Sequence, residues 1–214
     1  MRSVNGRRTY DSERRKERAR RARQQVLIVA RREFLANGYG ATTMQTVASG
    51  AEVSVEMIYK AFGNKAGLVK AIHDEALAGP GPIPTTQISA RMKREESDPR
   101  KLLHSWGDFV AEVTPRVSPV VLLIRAAAET DPAAATLWTQ INDERLAGMT
   151  HDAQRLAEQG HLRPGITVQE AGDILWTLTS PELYDLLVMR RGWTAARFGQ
   201  WVGESYIAAL LDPA

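Results

Sequence analysis

An all-α protein is predicted from three features of this sequence. Apolar residues recur at helical spacing along most of the 214 residues. Ser, Thr, Asp or Asn, in several cases followed by proline, precedes most of these segments, as at the start of a helix. Strand-like alternation between hairpin turns is absent, so a β-sheet is not expected. The 43% hydrophobic content is sufficient for a substantial buried core.

Charge divides the chain into a basic and an acidic region. Residues 1–78 contain 15 Lys and Arg against 8 Asp and Glu, a net charge of +7. Residues 79–214 contain 13 against 17, a net charge of −4. The basic region is therefore expected to bind a polyanion through attraction that depends on salt. For residues 1–20 taken alone, a disordered solubilising tail is the alternative.

Several classes of site are not expected. Cysteine is absent, so disulfides and thiolate zinc sites are excluded. The histidines lack metal-ligand spacing such as HExxH, and no Gly-rich phosphate loop occurs, so no metal, cofactor or catalytic residue is predicted. There is no apolar run of membrane-spanning length and no signal-peptide pattern, which predicts a cytoplasmic protein without a membrane partner. A helical enzyme whose catalytic residues come from distant helices remains the less favoured alternative.

Four helices are predicted in the basic region. The first lies within residues 22–36 and ends at Asn37-Gly38. The second begins near Met44, after Thr42-Thr43, with Gln45 three residues after Thr42 as in a capping box. The third and fourth helices begin after Ser54 and Asn64, and the third covers Val55–Phe62. The expected apolar faces comprise Val26, Val29, Ala30 and Phe34; Met44, Val47, Ala48 and Ala51; Ile58, Tyr59 and Phe62; and Leu68, Val69 and Ile72.

The second and third helices are too short to be stable alone in water, so packing must hold them. Two short helices joined by a turn of about three residues form a helix-turn-helix, whose second helix enters the DNA major groove. With Ile58 and Phe62 packed inward, the outer side of the third helix would present Val55, Glu56, Met57 and Lys60.

Prolines and glycines in GPGPIPTT, residues 79–86, mark a boundary. We therefore divide the chain into a basic, flexible arm at 1–20, a helix-turn-helix domain at 21–78, a linker at 79–98 and a larger helical domain at 99–214. The linker is expected to hold a short helix, Ile88–Glu96. The larger domain is predicted to contain helices Arg100–Val113, Pro119–Glu129, Pro132–Glu158, Val168–Thr179, Pro181–Arg190 and Thr194–Leu211.

The sequence of the four predicted N-terminal helices resembles the TetR (tetracycline repressor-like) family of bacterial regulators. The resemblance runs from Val26 to about Leu77, and its motif residues are Ala51, Val53, Ser54, Tyr59, Phe62 and Lys65. Glu52 stands where the family usually has glycine, so either the turn is strained by about 1–2 kcal/mol or it is built differently, using Gly50. Glu56-Met57 stands where small or hydroxyl residues are common, and no operator sequence is predicted.

The resemblance implies a homodimeric repressor that binds a palindromic double-stranded DNA operator and is released by a small-molecule effector. A non-specific architectural DNA-binding protein is the alternative, because basic arms bind any duplex. The predicted DNA-binding residues are Thr42, Thr43, Gln45, Ser54, Val55, Glu56, Met57, Tyr59, Lys60 and Lys65. For Thr43 and Ser54, capping alone is the alternative, and for Tyr59 it is a place in the core.

The resemblance also implies an effector pocket and a dimer interface in the larger domain. The pocket is expected to be lined by Trp106, Phe109, Leu122, Arg125, Trp138, Ile141 and Trp176. Arg125 would bind an anionic ligand or, as the favoured interpretation, pair with Glu129 four residues later. The interface is expected to comprise Leu183, Leu187, Phe198, Trp201, Val202 and Tyr206 in the last two helices. Otherwise these apolar residues would have to be covered within one chain.

Overall fold

The computed structural model describes residues 4–81, 83, 84, 87, 91 and 96–213, and this part of the chain is all-helical, as predicted. It divides into two compact units, Met1–Ile72 and His73–Ala214. The predicted linker helix Ile88–Glu96 falls largely outside the described residues. None of the helices in the described part combines the length and apolar character needed to cross a membrane.

The first unit is built from helix α1 (Val4–Ala41), two short helices, α2 (Met44–Ala51) and α3 (Val55–Phe62), and the beginning of α4 (Lys65–Ala78). Gly38, with φ 79° and ψ 168°, interrupts the helical backbone of α1 where the sequence predicted its end. All four predicted apolar faces are buried except at Tyr59, which is exposed. Because each short helix buries one side, packing compensates for the weak intrinsic stability of α2 and α3.

The helix α1 begins far earlier than residue 22. Residues 4–20, predicted as an arm, are helical and continuous with α1, and most side chains from residue 13 to residue 25 are exposed. Within this extension Glu17 pairs with Arg20 and Arg21, at N–O distances of 3.0 and 2.8 Å. Such pairs at spacings of three and four residues support a helix that buries little surface.

The second unit contains α5 (Pro99–Ala128), α6 (Pro132–Glu158), α7 (Val168–Leu178), α8 (Pro181–Tyr184) with a π-helical turn at Asp185–Arg190, and α9 (Ala195–Leu210). Its helices begin at side-chain caps, since Asp98, Asp131, Thr167, Ser180 and Thr194 each accept a hydrogen bond from a backbone N–H in the first turn. These starts agree with the sequence prediction to within a residue. Thr167 and Glu170 form a reciprocal capping box.

The helix boundary predicted between Val113 and Pro119 is wrong. Arg100–Val113 and Pro119–Glu129 are parts of the single helix α5, which continues through Pro115 and Pro119. Ser118 is buried inside this helix, so it does not start a new one. Near the prolines, Arg116 donates from its side chain to the carbonyl of Glu112 (2.9 Å) and Thr114 to that of Val110 (2.7 Å), so both side chains are bonded to the preceding turn of the same helix.

The segment predicted as a helix from Pro181 to Arg190 changes from α to π geometry after Tyr184. The wider turn brings residues five apart together, and Arg190 donates from Nε to the Asp185 carboxylate at 2.8 Å. Gly192, with φ 70°, then ends the segment. Helical periodicity alone does not distinguish these two geometries over six residues.

The closest helix contact in the second unit is between α5 and α9. A side chain at Gly107 would collide with the Gly199 carbonyl, and one at Gly199 would collide with the Gly107 carbonyl and lie 2.6 Å from Ala111 Cβ. Gly203, one turn after Gly199, faces the carbonyl of Leu103. The two backbones therefore approach each other directly. Around this crossing the core includes Leu103, Trp106, Leu175, Phe198, Val202 and Tyr206.

We expect Gly199→Ala to destabilise the second unit by roughly 1–3 kcal/mol, because the new methyl group would force α5 and α9 apart. Gly148→Ala is the matched control: Gly148 lies within α6 with nothing near its Cβ position, so alanine should stabilise the helix by about 0.5–1 kcal/mol. Urea unfolding followed by circular dichroism measures both changes. A Gly199→Ala protein as stable as the parent would contradict the proposed backbone contact.

Candidate functional site

The helix α3 is held by two buried side chains and two caps. Ile58 and Phe62 are buried, and the Ser54 hydroxyl accepts from the Met57 N–H at 3.1 Å. At the other end, the Arg23 guanidinium lies 4.3 Å from the centre of the Phe62 ring and donates to the Ala61 carbonyl at 3.5 Å. A cation near the free carbonyls of a helix C-terminus is favourable. The orientation of α3 is thus set from its inner side and its ends.

The opposite side of α3 faces outward. Glu56, Tyr59 and Lys60 are exposed, Tyr59 by 49%, while Val55 and Met57 are half-buried. The resemblance implied base-edge reading by the outer face of this helix and phosphate positioning by Tyr59, and the structure brings these side chains together on one accessible surface. Tyr59 therefore does not belong to the core. The exposed hydroxyl and ammonium groups of this face are suited to phosphate or base-edge contacts.

The turn between α2 and α3 contains strained backbone. Glu52 has φ 56° and ψ 41° and is the one non-glycine residue with positive φ in the described ranges. Its N–H and that of Val53 donate to the Ser49 and Ala48 carbonyls, at 3.3 and 3.1 Å, and close the C-terminus of α2. Gly50 serves another purpose, since a side chain there would lie 2.8 Å from Val29 Cγ1. Of the two alternatives for this turn, the structure contains the strained one.

The threonines before α2 have separate roles. Thr43 caps α2 by accepting from the Thr46 N–H at 3.0 Å, and its hydroxyl is 2.8 Å from that of Thr46. The capping box predicted between Thr42 and Gln45 is therefore wrong. Thr42 is buried, and its hydroxyl lies within hydrogen-bonding distance of the Glu33 and Gly38 carbonyls, at 3.1 and 2.9 Å. Thr43 and Gln45 are exposed, whereas Thr42 lies beneath the surface and joins the end of α1 to α2.

Lys65, at the first position of α4, lies beside the end of α1. Its ammonium group is 4.5 Å from the centre of the Tyr39 ring and donates to the Gly40 carbonyl at 3.4 Å. Asn64 caps α4 by accepting from the Gly67 N–H at 2.8 Å. The aromatic contact fixes the cation near the N-terminus of α4, where backbone N–H groups also favour an anion.

The N-terminal extension of α1 adds positive charge next to this surface. Arg14, Arg15, Lys16, Arg18, Arg20, Arg21 and Arg23 are all exposed. Hydrogen bonds from Arg20 and Arg21 lower the pKa of the Glu17 carboxyl to about 2, and its negative charge offsets part of the basic charge of the extension. A flexible arm was predicted for residues 1–20, whereas Glu17 pairs with Arg20 and Arg21 on a solvated helical extension of α1.

The family comparison agrees with this geometry. Residues 26–72 match the family model for bacterial regulatory proteins of the tetR family. The chain carries a TetR-family helix-turn-helix domain. The match covers α1 from Val26 onward, all of α2 and α3, and α4 to Ile72. No curated protein sequence matches the chain.

Solved structures extend the likeness in fold to both units. NalD of Pseudomonas aeruginosa, described as the secondary repressor of the MexAB-OprM multidrug efflux pump, has a TM-score of 0.73 at 19% identity, over 92% of this chain and 100% of its own. SmeT in complex with triclosan has a TM-score of 0.69 at 19% identity, over 90% and 93%. GusR of Salmonella enterica has a TM-score of 0.65 at 20% identity, over 88% and 95%. At these identities the likeness concerns the fold.

The residues predicted to line an effector pocket lie in different environments in the second unit. Trp106 belongs to the core, where its ring meets that of Tyr206 edge-on at 6.4 Å. Arg125 is exposed and pairs with Glu182 of α8 at 2.7 Å, so the predicted pair with Glu129 is wrong. The fold brings Glu182 to Arg125 from 57 positions away in sequence, which periodicity cannot reveal. Phe109, Leu122, Trp138 and Trp176 are half-buried and Ile141 is buried.

The predicted dimer residues divide into two groups. Phe198, Val202 and Tyr206 are buried in the core of their own unit, where they meet Trp106 and Tyr184 among others, so they are covered without a partner. Leu183, Leu187 and Trp201 are half-buried. Exposed apolar surface lies instead at Leu186 and Met189 of the π-helical turn, 50% and 55% exposed. The choice of α8 and α9 stays a prediction. Leu186 belongs to the apolar residues of the last two helices that the sequence offers for this interface, whereas Met189 was missed.

A second residue that the sequence analysis missed is Arg145 of α6. It lies four residues after buried Ile141 and four before half-buried Met149, on the inner stripe of the helix. The same criterion that selected Arg125, a charge interrupting an apolar stripe, could have identified it. Arg145 is half-buried and donates to the Trp176 carbonyl at 2.6 Å.

We expect Glu52→Gly to stabilise the α2–α3 pair by roughly 0.5–1 kcal/mol. Glycine relieves a left-handed conformation that costs an L-residue about 1–2 kcal/mol, although its greater freedom in the unfolded chain offsets part of the gain. Hydrogen exchange of the α2 and α3 amides should slow accordingly. Glu56→Gly, the same substitution inside α3, is the control and should accelerate exchange. Faster exchange in Glu52→Gly would show that the turn is not strained.

Proposed function

We propose that this protein is a homodimeric transcriptional repressor that binds a palindromic DNA operator and is released by a small-molecule effector. The observation that carries the proposal is the arrangement of α3, whose inner side is buried at Ile58 and Phe62 while Glu56, Tyr59 and Lys60 face solvent. A short helix supported in this way can enter a major groove without losing its own packing. The family match of residues 26–72 supports this assignment.

In the proposed complex, two groups of residues on and around α3 have different roles. Ser54, Val55, Glu56, Met57 and Lys60 read base edges from the outer side of α3. Thr43, Gln45, Tyr59 and Lys65 contact phosphates on either side of the groove, because their polar groups border α3 at α2, at its own surface and at the start of α4. Phosphate contacts orient the helix, and base-edge contacts provide specificity. We leave out Thr42, since its hydroxyl is buried.

The basic extension of α1 adds attraction that does not depend on sequence. Its exposed arginines and lysine can follow neighbouring phosphates or enter a minor groove, and each phosphate contact would release counterions. The Glu17 carboxylate, held by Arg20 and Arg21, limits this attraction at low salt. The extension raises affinity, and discrimination between sequences depends on α3.

Dimerisation through α8, the π-helical turn and α9 would give the two reading helices a fixed separation. Leu186 and Met189 provide exposed apolar surface, and half-buried Leu183, Leu187 and Trp201 extend it. A two-fold axis places two recognition helices in successive major grooves, about 34 Å apart, which requires a palindromic site. An effector that favours a different separation would release the dimer from DNA.

The relatives support a repressor with a ligand. NalD is described as a repressor, and SmeT forms a complex with triclosan. By analogy, the second unit of this chain would accept a small organic molecule among α5, α6 and α7, and the protein would act on DNA in the cytoplasm without catalysing a reaction. Helix α4, which runs from Lys65 to Ala78, continues from the first unit into the second. It is the element best suited to carry the effect.

The proposed function predicts that selection from a random DNA pool will recover a palindrome. Two half-sites with centres about 10 base pairs apart, or a multiple of that spacing, are expected because symmetric recognition helices must meet successive major grooves. Binding to the selected duplex and to a scrambled duplex is then compared at two salt concentrations. Equal affinity for both sequences would favour an architectural protein that binds through its basic extension alone.

On the selected duplex, Tyr59→Ala and Lys65→Ala should each weaken binding about tenfold while helicity and dimerisation are retained. Each substitution removes a phosphate contact near α3, worth on the order of 1–2 kcal/mol. Lys101→Ala is the control for Lys65→Ala. It removes one positive charge from an exposed position in α5 and should leave the affinity for the duplex unchanged. Fluorescence anisotropy of labelled duplex measures the three variants. Parental affinity in both Tyr59→Ala and Lys65→Ala would refute the site assignment.

A further inference from the structure

Arg145 is held on the inner face of α6 by neutral groups. Its Nη1 donates to the Trp176 carbonyl at 2.6 Å and to the Thr179 hydroxyl at 3.3 Å, and its Nη2 reaches the Asn142 amide oxygen at 3.5 Å. Its guanidinium also lies 4.5 Å from the centre of the Trp176 ring. These contacts fix the plane of the guanidinium. They use the donors of Nη1 and leave Nε–H without an acceptor among the described residues.

No carboxylate within the described residues lies at ion-pair distance from Arg145. The nearby Glu182 is paired with Arg125 at 2.7 Å, and its charge acts on Arg145 only from farther away. Burial lowers the pKa of Arg145 to about 10, an effect that Glu182 and Tyr206 partly oppose, so the group remains charged at neutral pH. A partly buried cation without a paired anion is costly and is uncommon in a purely structural role.

The surroundings of Arg145 combine a flat apolar surface with further hydrogen-bond donors. The Trp176 indole is half-buried, and its Nε1–H is buried without an acceptor in the part of the chain that the structure describes. Trp138, two turns before Arg145 on α6, is half-buried and accepts at its carbonyl from Asn142 at 2.9 Å. The Trp176 indole and the Arg145 guanidinium thus lie together between α6 and α7. Indole N–H groups usually find a partner when buried, and the Trp176 N–H lacks one within the described ranges.

We propose that Arg145 and Trp176 form an anion-binding site that anchors a carboxylate attached to an aromatic or other flat apolar group. The inference rests on the proposed function, since it specifies the chemical class of the effector. The carboxylate would pair with the open Nε side of the guanidinium, and the apolar group would lie against Trp176. A ligand of this class supplies the negatively charged partner that Arg145 lacks. Cationic ligands are excluded by the same charge.

The site also offers a route from ligand binding to helix packing. Arg145 connects α6 to the last turn of α7, because its partners Trp176 and Thr179 lie at the C-terminus of that helix. The Tyr206 hydroxyl of α9, which is buried, donates to the neighbouring Leu175 carbonyl at 3.2 Å. A carboxylate that draws the guanidinium away from Trp176 would therefore alter contacts between α6, α7 and α9. The last of these helices belongs to the proposed dimer surface.

The test compares 2-naphthoate with 2-naphthamide, which share a flat scaffold and differ in charge. Calorimetric titration of the full-length protein should give at least a tenfold lower Kd for the carboxylate. Arg145→Met should abolish that preference, and Lys101→Met, which removes an exposed cation of α5, should retain it. Equal affinities for the two compounds, binding of neither at millimolar concentration, or a preference that persists in Arg145→Met would each overturn the proposal.

Arg145 also contacts the end of α7, so Arg145→Met is checked for folding by circular dichroism. If it does not fold, Arg145→Lys replaces it: the ammonium keeps the charge but lacks the planar pair of donors, and the preference should fall at least threefold. An undiminished preference in Arg145→Lys would then overturn the proposal. Failure of palindrome selection alongside carboxylate binding through Arg145 would refute the repressor assignment and leave the anion site standing. Recovery of a palindrome without carboxylate binding through Arg145 would refute the anion site alone.

Discussion

The burial of one side of α3 is the constraint on which the candidate interface depends. Eight residues of isolated helix are unstable in water, so α3 persists only because Ile58 and Phe62 are buried and its ends are capped by Ser54 and Arg23. The residues that hold the helix are therefore different from those that face outward. Because of this separation, Glu56, Tyr59 and Lys60 can be substituted without loss of the packing that holds α3.

Backbone strain and close packing in the first unit occur at α2 and the α2–α3 turn, which set the angles of α2 to α1 and to α3. Glu52 adopts a left-handed conformation in the α2–α3 turn, and Gly50 allows α2 to approach Val29 of α1. A residue with a side chain in the left-handed region is maintained only when its surroundings determine the backbone, as the hydrogen bonds to Ala48 and Ser49 do here. The turn thus contributes geometry at a cost in stability that the core of the unit offsets.

The second unit combines a tightly packed crossing with a polar face. Gly107, Gly199 and Gly203 bring α5 and α9 into backbone contact, which leaves little space for a ligand at that crossing. Between α6 and α7, by contrast, Arg145, Asn142, Thr179 and the Trp176 ring form a hydrogen-bonded and stacked group. A ligand that enters the unit is therefore expected between α6 and α7, where polar contacts can be exchanged at low cost.

Local features determined most of the fold class and the position of the helix-turn-helix. A cap such as Ser54, Thr167 or Thr194 acts within a single turn, and an apolar stripe such as Val26–Phe34 identifies the buried side of a helix, so both can be seen in the sequence. Thr42 shows the limit of this reasoning: two adjacent threonines offer the same cap, and only the path of α1 decided which one would be buried.

Tertiary structure decided the features that depend on residues far apart in the chain. Helix α5 continues through Pro115 and Pro119, although a local pattern of serine followed by proline resembles a helix start. Arg125 pairs with Glu182 instead of Glu129, and Phe198, Val202 and Tyr206 are covered inside their own unit because α9 packs against α5. Periodicity shows which side of a helix is apolar. It contains no information about which element will cover that side, because that choice depends on the simultaneous packing of all the helices.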